Sequence, residues 1–579
     1  MIDRLLEQLR IRDRQMFLLA TVCIGVLAGL LAMLFTLSIE RLSFFLFGMA
    51  PSRERLMLVP PAISLVTGVL LAKYFPDCRG SGVPQTEAAY HLANGRIPGR
   101  VPIGKFLTGV LCVGSGHSMG REGPSVQIGA GLASVVGRWL RLSPERIQAL
   151  VPIGAAAALS AAFNTPVSAV IFALEEIIGD MNAGIIGPAV IASVSSVIVE
   201  RSILGNHPLF RVPQYHLLKP EELLWYALLG LVGGIISLMF CKGLLWLRRL
   251  FARLPRSSVW FQPAIGGLII GIILIFFPEV MGVGYEYVDQ ALSGGLALKL
   301  LILLCGAKLV ATIISYASGN AGGIFAPSLY LGAMAGGAMG TIVHRFAPLS
   351  SADPGAYALV GMGTLFAGII RAPMTSVFMI FELTQDYQIL VPLMVANLIS
   401  FMISRKFQAK PIYHALLEQE SIYLPGMEGR LSVSGARAGN MMTQKYVLVS
   451  DSVTVGAALD RIKRQETPGD NVLVGPENFP VAWVRREKLE QAALNGASEQ
   501  PALSLADRAQ FAYVYPDQSV DYALQQLSVS AGPLLVRNRS GHRLEGIITR
   551  QSVMDFLDRD VRPAMKLDPE SVQGVTFEP

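Results

Sequence analysis

Carboxylates are scarce through the first two thirds of this chain, and the few that interrupt its apolar runs stand out. Glu122 lies in GREGP (120–124), and the doublet Glu175-Glu176 closes the apolar run 166–174. A glutamate at membrane depth is costly and by default marks an ion or proton pathway. Three segments, GSGVP (80–84), GREGP (120–124) and GIFAP (323–327), repeat one design. Glycine frees the backbone, proline stands just inside a helix start, and an apolar helical run follows. Helix N-termini offer unpaired N–H groups and a partial positive charge, which hold an anion without a full countercharge and so permit release. Ser81 adds a hydroxyl donor to the first segment. The chemistry predicted is weak binding of a small anion beside Glu122, whose carboxylate can occupy an anion position itself and leave it when protonated.

The elements that must position these groups are membrane helices. Of 579 residues 52% are hydrophobic and only 16% charged, with mean hydropathy +0.48, a balance suited to a bilayer. Apolar blocks run from Gln15 to about Arg405, and the composition beyond Leu431 is that of a soluble domain. Residues 1–14 are charged and amphipathic, and no cleavable signal is evident. The net charge of +6 carries no basic cluster of the kind nucleic acid requires. Groups such as Arg138, Arg141, Arg146 and Arg248, Arg249, Arg253, Arg256 suit cytoplasmic loops instead. Full spans are predicted over 16–37, 56–74, 223–247, 263–277, 298–314 and 389–403. Stretches such as 103–116 and 322–338 are broken by glycine and proline and are short for a single crossing. Such breaks are tolerated only where they are buried in protein or line a cavity. The five cysteines (Cys23, Cys78, Cys112, Cys241, Cys305) have no metal-ligand spacing and read as packing residues. Nothing in the chain suggests a nucleophile–base pair, so neither an enzyme nor a cofactor is expected.

An internal repeat sharpens the site. GREGPSVQIGA (120–130) aligns with GIFAPSLYLGA (323–333), and 154–176 aligns with 361–383, pairing Pro166 with Pro373 and Glu175 with Glu382. Paired Gly/Pro-interrupted segments in two membrane halves point to a midplane substrate site. The repeat partner of Glu122 is Phe325 and that of Glu176 is Leu383. These two acids are therefore additions to a shared frame, whereas Glu175 suits a structural role. His117, five residues before Glu122, reads as a packing or hydrogen-bonding residue. The tail carries two βαββα-type units, 450–494 and 516–557, the first expected to open with DSVTV (451–455) as a strand and to continue with a helix over 457–463.

The runs GSGVP, GKFLTGVLCVGSGHSMGREGP and GGIFAP, followed by KPIYHALL, resemble the CLC family of chloride channels and chloride/proton antiporters, and the tail resembles the CBS-domain pair that many members carry. The resemblance implies an α-helical polytopic membrane protein, an inverted-repeat fold with broken helices, over residues 1–420 with halves at about 15–205 and 220–420. A linker over 421–435 and an α/β tandem CBS domain over 436–579 would follow. It further implies a homodimer in membrane lipid, sited in the cell inner membrane with the CBS tail cytoplasmic. By the resemblance Ser81 and the Tyr413 hydroxyl coordinate the central chloride, together with the backbone N–H groups of Ile324 and Phe325. Backbone around Arg121, Glu122 and Gly123 lines the outer site. Glu122 is the external gating glutamate, and Glu176 aligns with the internal proton-transfer glutamate of the exchangers, a position typically apolar in the channels. Lys105 matches a lysine below the anion path, the alternative being a lysine that snorkels to the interface.

Chloride/proton exchange is the function expected, with a passive chloride channel of the same fold as the first alternative. Fluoride export is disfavoured by the chloride-type GSG run at Ser81. A membrane-anchored nucleotide sensor is the remaining alternative. Adenine-nucleotide sites in CBS pairs use an Asp at the end of G-x-[IV]-T-x-x-D, where this chain has Ser552 and, in its first module, Val484 and Glu487 in place of the Thr and Asp. These departures argue against a nucleotide site.

Overall fold

The computed structural model describes residues 2–180, 183–205, 210, 220–347, 352–384, 387–424, 437–464, 470–476, 479–508, 511–518, 520–530, 532–539 and 543–556. Two compact units divide the chain at residues 424 and 425. The linker expected over 421–435 lies, from 425 on, outside the described residues.

The first unit is helical. Among the described residues seven helical stretches are long and apolar enough to cross a membrane: Gln15–Phe47, Arg53–Lys73, Pro144–Phe163, Gly184–Leu204, Pro220–Ala252, Leu298–Ala317 and Leu390–Gln419. Large apolar side chains such as Leu19, Phe45, Leu224 and Phe276 are exposed on its outer faces. In water such a surface would drive aggregation, and a bilayer covers it at no cost.

The spans differ from the sequence reading at four places. Pro144–Phe163 and Gly184–Leu204 were not expected, because alanine in the first and serine, with Glu200 and Arg201, in the second hold the mean hydropathy to 1.4. The first lies inside the unit rather than against lipid, and small residues let it do so. Gln262–Phe276, expected as a full span, has 15 residues, short of the roughly 20 that a crossing takes. Conversely, the stretch expected to be short after Gly322 runs on as a helix of 22 residues, Phe325–Phe346.

The core is built twice. Helix Glu122–Trp139 packs on Pro144–Phe163, and Phe325–Phe346 packs on Pro354–Ile369. At each crossing two glycines face one another, Gly129 with Gly154 and Gly332 with Gly361. A Cβ on either partner would run into the carbonyl oxygen of the other, so the backbones touch as in small-residue membrane contacts.

Among the described residues of the second unit there are two small sheets. In the first, Tyr446–Val449 pairs parallel with Asn471–Val474, which pairs antiparallel with Ala482–Arg485, and Asp507–Arg508 adds an edge. In the second, Tyr513–Val514, Leu534–Arg537 and Leu544–Ile548 repeat the parallel and then antiparallel pairing. Helices Val455–Lys463 and Arg486–Leu494 accompany the first sheet, and Val520–Val529 and Arg550–Phe556 the second. The βαββα order is present in both, but each opens a few residues before the expected bounds, the second at Tyr513–Val514 rather than after 516. The opening strand of the first is Tyr446–Val449, and DSVTV is a turn whose Thr454 caps the next helix, its hydroxyl accepting from the Ala457 N–H. The alternation of Val453 and Val455 imitates a strand, but Thr454 is a better helix cap than strand residue.

Candidate functional site

Three chain breaks meet at the centre of the first unit. Gly120 and Gly323, partners in the repeat, exchange both backbone hydrogen bonds at 2.8 Å. Beside them Gly80 N–H donates to Asn320 O at 3.1 Å, and Gly322 N–H donates to Gly80 O at 3.0 Å. The contacts are so close that a Cβ on Gly123 would lie 2.8 Å from Ser81 O and 3.2 Å from Gly323 Cα. Helices Val83–Leu92, Glu122–Trp139 and Phe325–Phe346 therefore begin side by side. Their first N–H groups have no acceptor one turn earlier, so each start carries donors and partial positive charge.

Most of the residues expected at the site are brought together here. Ser81 Oγ lies against Gly123 and is buried without a hydrogen-bond partner in ordinary range among the described residues. The Tyr413 hydroxyl, on helix Ile412–Gln419, lies near it and is likewise buried without one among the described residues. Two orphan hydroxyls in a buried site are costly unless a ligand accepts from them. Ile324 is the N-cap and Phe325 the first residue of helix Phe325–Phe346. The Phe325 ring is fixed by Phe163, Phe172 and Phe366 at centroid distances of 5.0, 5.6 and 4.5 Å. This donor set suits a monatomic anion, which needs several weak donors and no fixed angles.

Glu122 is fully buried at the first turn of its helix. Its Oε1 accepts from the Tyr285 hydroxyl at 2.5 Å and lies 4.0 Å from Arg121 Nε. Its Oε2 rests over Gly120 with no hydrogen-bond partner among the described residues, on the side where the Ala326 N–H lies 3.1 Å from the place of a Gly120 Cβ. The carboxylate thus sits between two helix starts, in a position that an anion would otherwise favour. Arg121 keeps its own charge balanced through Glu40, 3.4 Å away.

Glu176 is carried by a different element. Helix Pro166–Phe172 widens into a π-helical segment, Ala173–Ile178, and Glu176 is buried on it, its Oε1 without a hydrogen-bond partner among the described residues. Such widened turns recur at functional sites. Its neighbour Glu175 turns the other way. Glu175 accepts from the N–H groups of Met374 and Thr375 at 3.1 and 2.8 Å and from the Thr375 hydroxyl at 2.8 Å. Helix Val83–Leu92 packs against the widened segment and carries buried Glu87, whose Oε1 is 2.5 Å from His414 Nε2. This pair was not singled out in the sequence, although His414 lies in the same KPIYHALL run as Tyr413.

Lys105 is fully buried, which rules out snorkelling, and its Nζ donates to Cys78 O and Gly80 O at 3.0 and 2.7 Å. It holds the loop that presents Ser81. Lys308, 203 residues on, does the same for a loop that sequence reasoning missed, donating to Val280 O, Gly282 O and Val283 O at 3.1, 2.7 and 3.2 Å. The available signal was the pair of G-x-G runs at 80–82 and 282–284. His117 is a buried hydrogen-bonding residue between Ser64 Oγ and Ser315 Oγ, at 2.5 and 3.2 Å. Of the cysteines, Cys78, Cys112 and Cys241 are buried, Cys305 is half-buried, and Cys23 alone is exposed.

In the second unit Ser552 spends its hydroxyl locally. It accepts from Thr549 N–H at 2.9 Å and donates to Thr549 O at 3.0 Å, while Thr549 Oγ1 accepts from Ser552 N–H at 3.1 Å. Glu487 is exposed on the first turn of its helix.

Comparison with known proteins agrees with this geometry. The family model described as "Voltage gated chloride channel" matches residues 62–405. The H(+)/Cl(-) exchange transporter ClcA of Vibrio vulnificus (strain YJ016) is 32% identical over 422 residues, covering 70% of this chain and 89% of that relative. A solved slow cyanobacterial Cl-/H+ antiporter is similar with TM-score 0.64 at 28% identity, over 70% of this chain and 97% of its own. A eukaryotic CLC transporter has TM-score 0.61 at 20% identity over 93% of this chain and 97% of its own, a likeness of fold that extends into the second unit. The chain belongs to the voltage-gated chloride channel family.

Proposed function

We propose that this multi-pass membrane protein exchanges chloride for protons. The observation that carries the reading is the pair of buried carboxylates, Glu122 and Glu176, set into a duplicated frame whose corresponding residues are Phe325 and Leu383. A conduit for chloride alone needs the donors at the helix starts and a gate at most. A second buried acid, on a widened turn rather than at one of the three helix starts, has a use when protons travel too.

Chloride binds at Ser81 Oγ, Tyr413 Oη and the N–H groups of Ile324 and Phe325, with an outer position on the backbone of Arg121, Glu122 and Gly123. Protonation of Glu122 removes its charge from the outer position and lets it swing away, so an anion can take its place. Glu176 passes protons to and from the opposite solution. Two conducting subunits form a homodimer in membrane lipid at the cell inner membrane, with residues 1–420 as the transport domain and 436–579 as a cytoplasmic tandem CBS domain. The tail supports assembly or gating and does not depend on adenine nucleotide, since Ser552 is committed to its own helix start.

The test is the reversal potential of the purified chain in liposomes. With chloride and proton gradients imposed, exchange gives a potential that moves with the proton gradient, and Glu176→Ala abolishes that movement while chloride flux persists. A potential set by chloride alone in the unmodified chain would make the protein a channel of the same fold.

A further inference from the structure

We infer that Tyr285 is a positioning residue for Glu122, and that its loop is the second-half counterpart of the Ser81 loop, turned from holding chloride to holding the gate. The inference rests on Glu122 acting as the gate.

The counterpart relation is geometric. Gly80 and Gly82 precede helix Val83–Leu92 with φ of +71° and +100°, and Gly282 and Gly284 precede helix Tyr285–Leu292 with φ of +56° and +79°. Lys105 donates to the carbonyls of residues 78 and 80, and Lys308 to those of residues 280 and 282. The two loops therefore share glycine placement, backbone conformation and a buried lysine brace. They differ in what they present. Ser81 has a hydroxyl where the second loop has Val283, and the second loop supplies its hydroxyl two residues later, from Tyr285.

Tyr285 is held on several sides. Its ring meets Phe210 edge to face at 5.0 Å, Arg121 lies over it at 5.7 Å, and its hydroxyl donates to Glu122 Oε1 at 2.5 Å. The charged groups around this contact are Arg121, paired with Glu40, and Lys308, spent on loop carbonyls; Glu279 and Glu286 flank the loop. Among the side chains described, Tyr285 is the one that donates a hydrogen bond to the Glu122 carboxylate. A hydrogen bond to an ionised acceptor is stronger than one to a neutral acceptor, so Tyr285 favours the charged, inward-held form of the gate.

The experiment measures chloride efflux from liposomes between pH 4.5 and 8 for the full-length chain. Loss of one charge-assisted hydrogen bond corresponds to about a tenfold change in the gate equilibrium, or about one pH unit. Tyr285→Phe is therefore expected to displace the flux–pH curve upward by about one unit while keeping the ring contacts. In a Glu122→Ala background, where the curve is expected to be flat, Tyr285→Phe should add nothing. A Tyr285→Phe curve that superimposes on the unmodified one, or one displaced to lower pH, overturns the inference. A Glu122→Ala curve that keeps the full pH dependence instead overturns the reading of Glu122 as the gate.

Discussion

Glu175 and Glu382 cap one another's helices. Glu175 holds the N–H groups of Met374 and Thr375, at the start of the helix that carries Glu382. Glu382 in turn holds those of Val167 and Ser168 at 2.9 and 2.7 Å, at the start of the helix that leads into Glu175. Glu175 and Glu382, Val167 and Met374, and Ser168 and Thr375 are each 207 residues apart, so the contact is reciprocal, as across a two-fold axis. The repeat seen in the sequence is thus a physical clasp between the halves.

Removing one carboxylate of the clasp strips two N–H groups of their acceptor at a helix start. Caps of this kind contribute about 1 kcal/mol each. Glu382→Ala is expected to lower the unfolding temperature in detergent by a few degrees, and Glu175→Ala by at least as much because Thr375 Oγ1 also loses its partner. Neither should abolish the movement of the reversal potential with the proton gradient, unlike Glu176→Ala. Loss of coupling in Glu382→Ala with unchanged melting would contradict the structural role.

The two orphan hydroxyls give a separate prediction for the anion. Ser81→Ala and Tyr413→Phe each remove a donor from the same buried point while changing little volume. A hydrogen bond to a charged group contributes about 1.5–3 kcal/mol, so each variant should weaken chloride binding about tenfold or more by calorimetry. Because both act on one ion, their effects should not add fully. Chloride affinity unchanged in both variants would place the ion elsewhere.

What the sequence made legible was what glycine, proline and charge had to mark. Glu122, Ser81, Ile324 and Phe325 stand at helix starts punctuated by Gly and Pro, and an acid in apolar sequence announces itself. Tyr285 did not, because GVGYE lacks the proline and a tyrosine in a loop has many ordinary uses. Lys308 escaped since only its carbonyl partners reveal that it repeats Lys105. The π-helical turn under Glu176 was also invisible: a helix that gains one residue per turn keeps the same local composition. In the tail, alternation at Val453 and Val455 hid a cap at Thr454, and the true strand lay just before it. For Tyr285 and Lys308 the deciding partners are tertiary and absent from any window of sequence.

The backbone contact at Gly123 sets the strictest steric prediction. A Cβ there would press on Ser81 Oγ, stand 2.8 Å from Ser81 O and come 3.2 Å from Gly323 Cα. Two of these three neighbours are backbone atoms of the other broken helix starts, and those backbones are pinned to one another by the hydrogen bonds of Gly80, Gly120 and Gly323. Relief therefore requires the loops to separate, which moves the donors away from the ion. Gly123→Ala is expected to cost at least about 1–3 kcal/mol of stability through overpacking and to reduce chloride flux at least tenfold. Gly306→Ala is the matched control. It lies within helix Leu298–Ala317, where a Cβ meets nothing within 4 Å, and alanine favours a helix over glycine by about 0.5–1 kcal/mol. That variant should melt at the same temperature or slightly higher and transport normally. Equal flux from the two alanine variants would mean that the three helix starts do not need the close approach seen at Gly123.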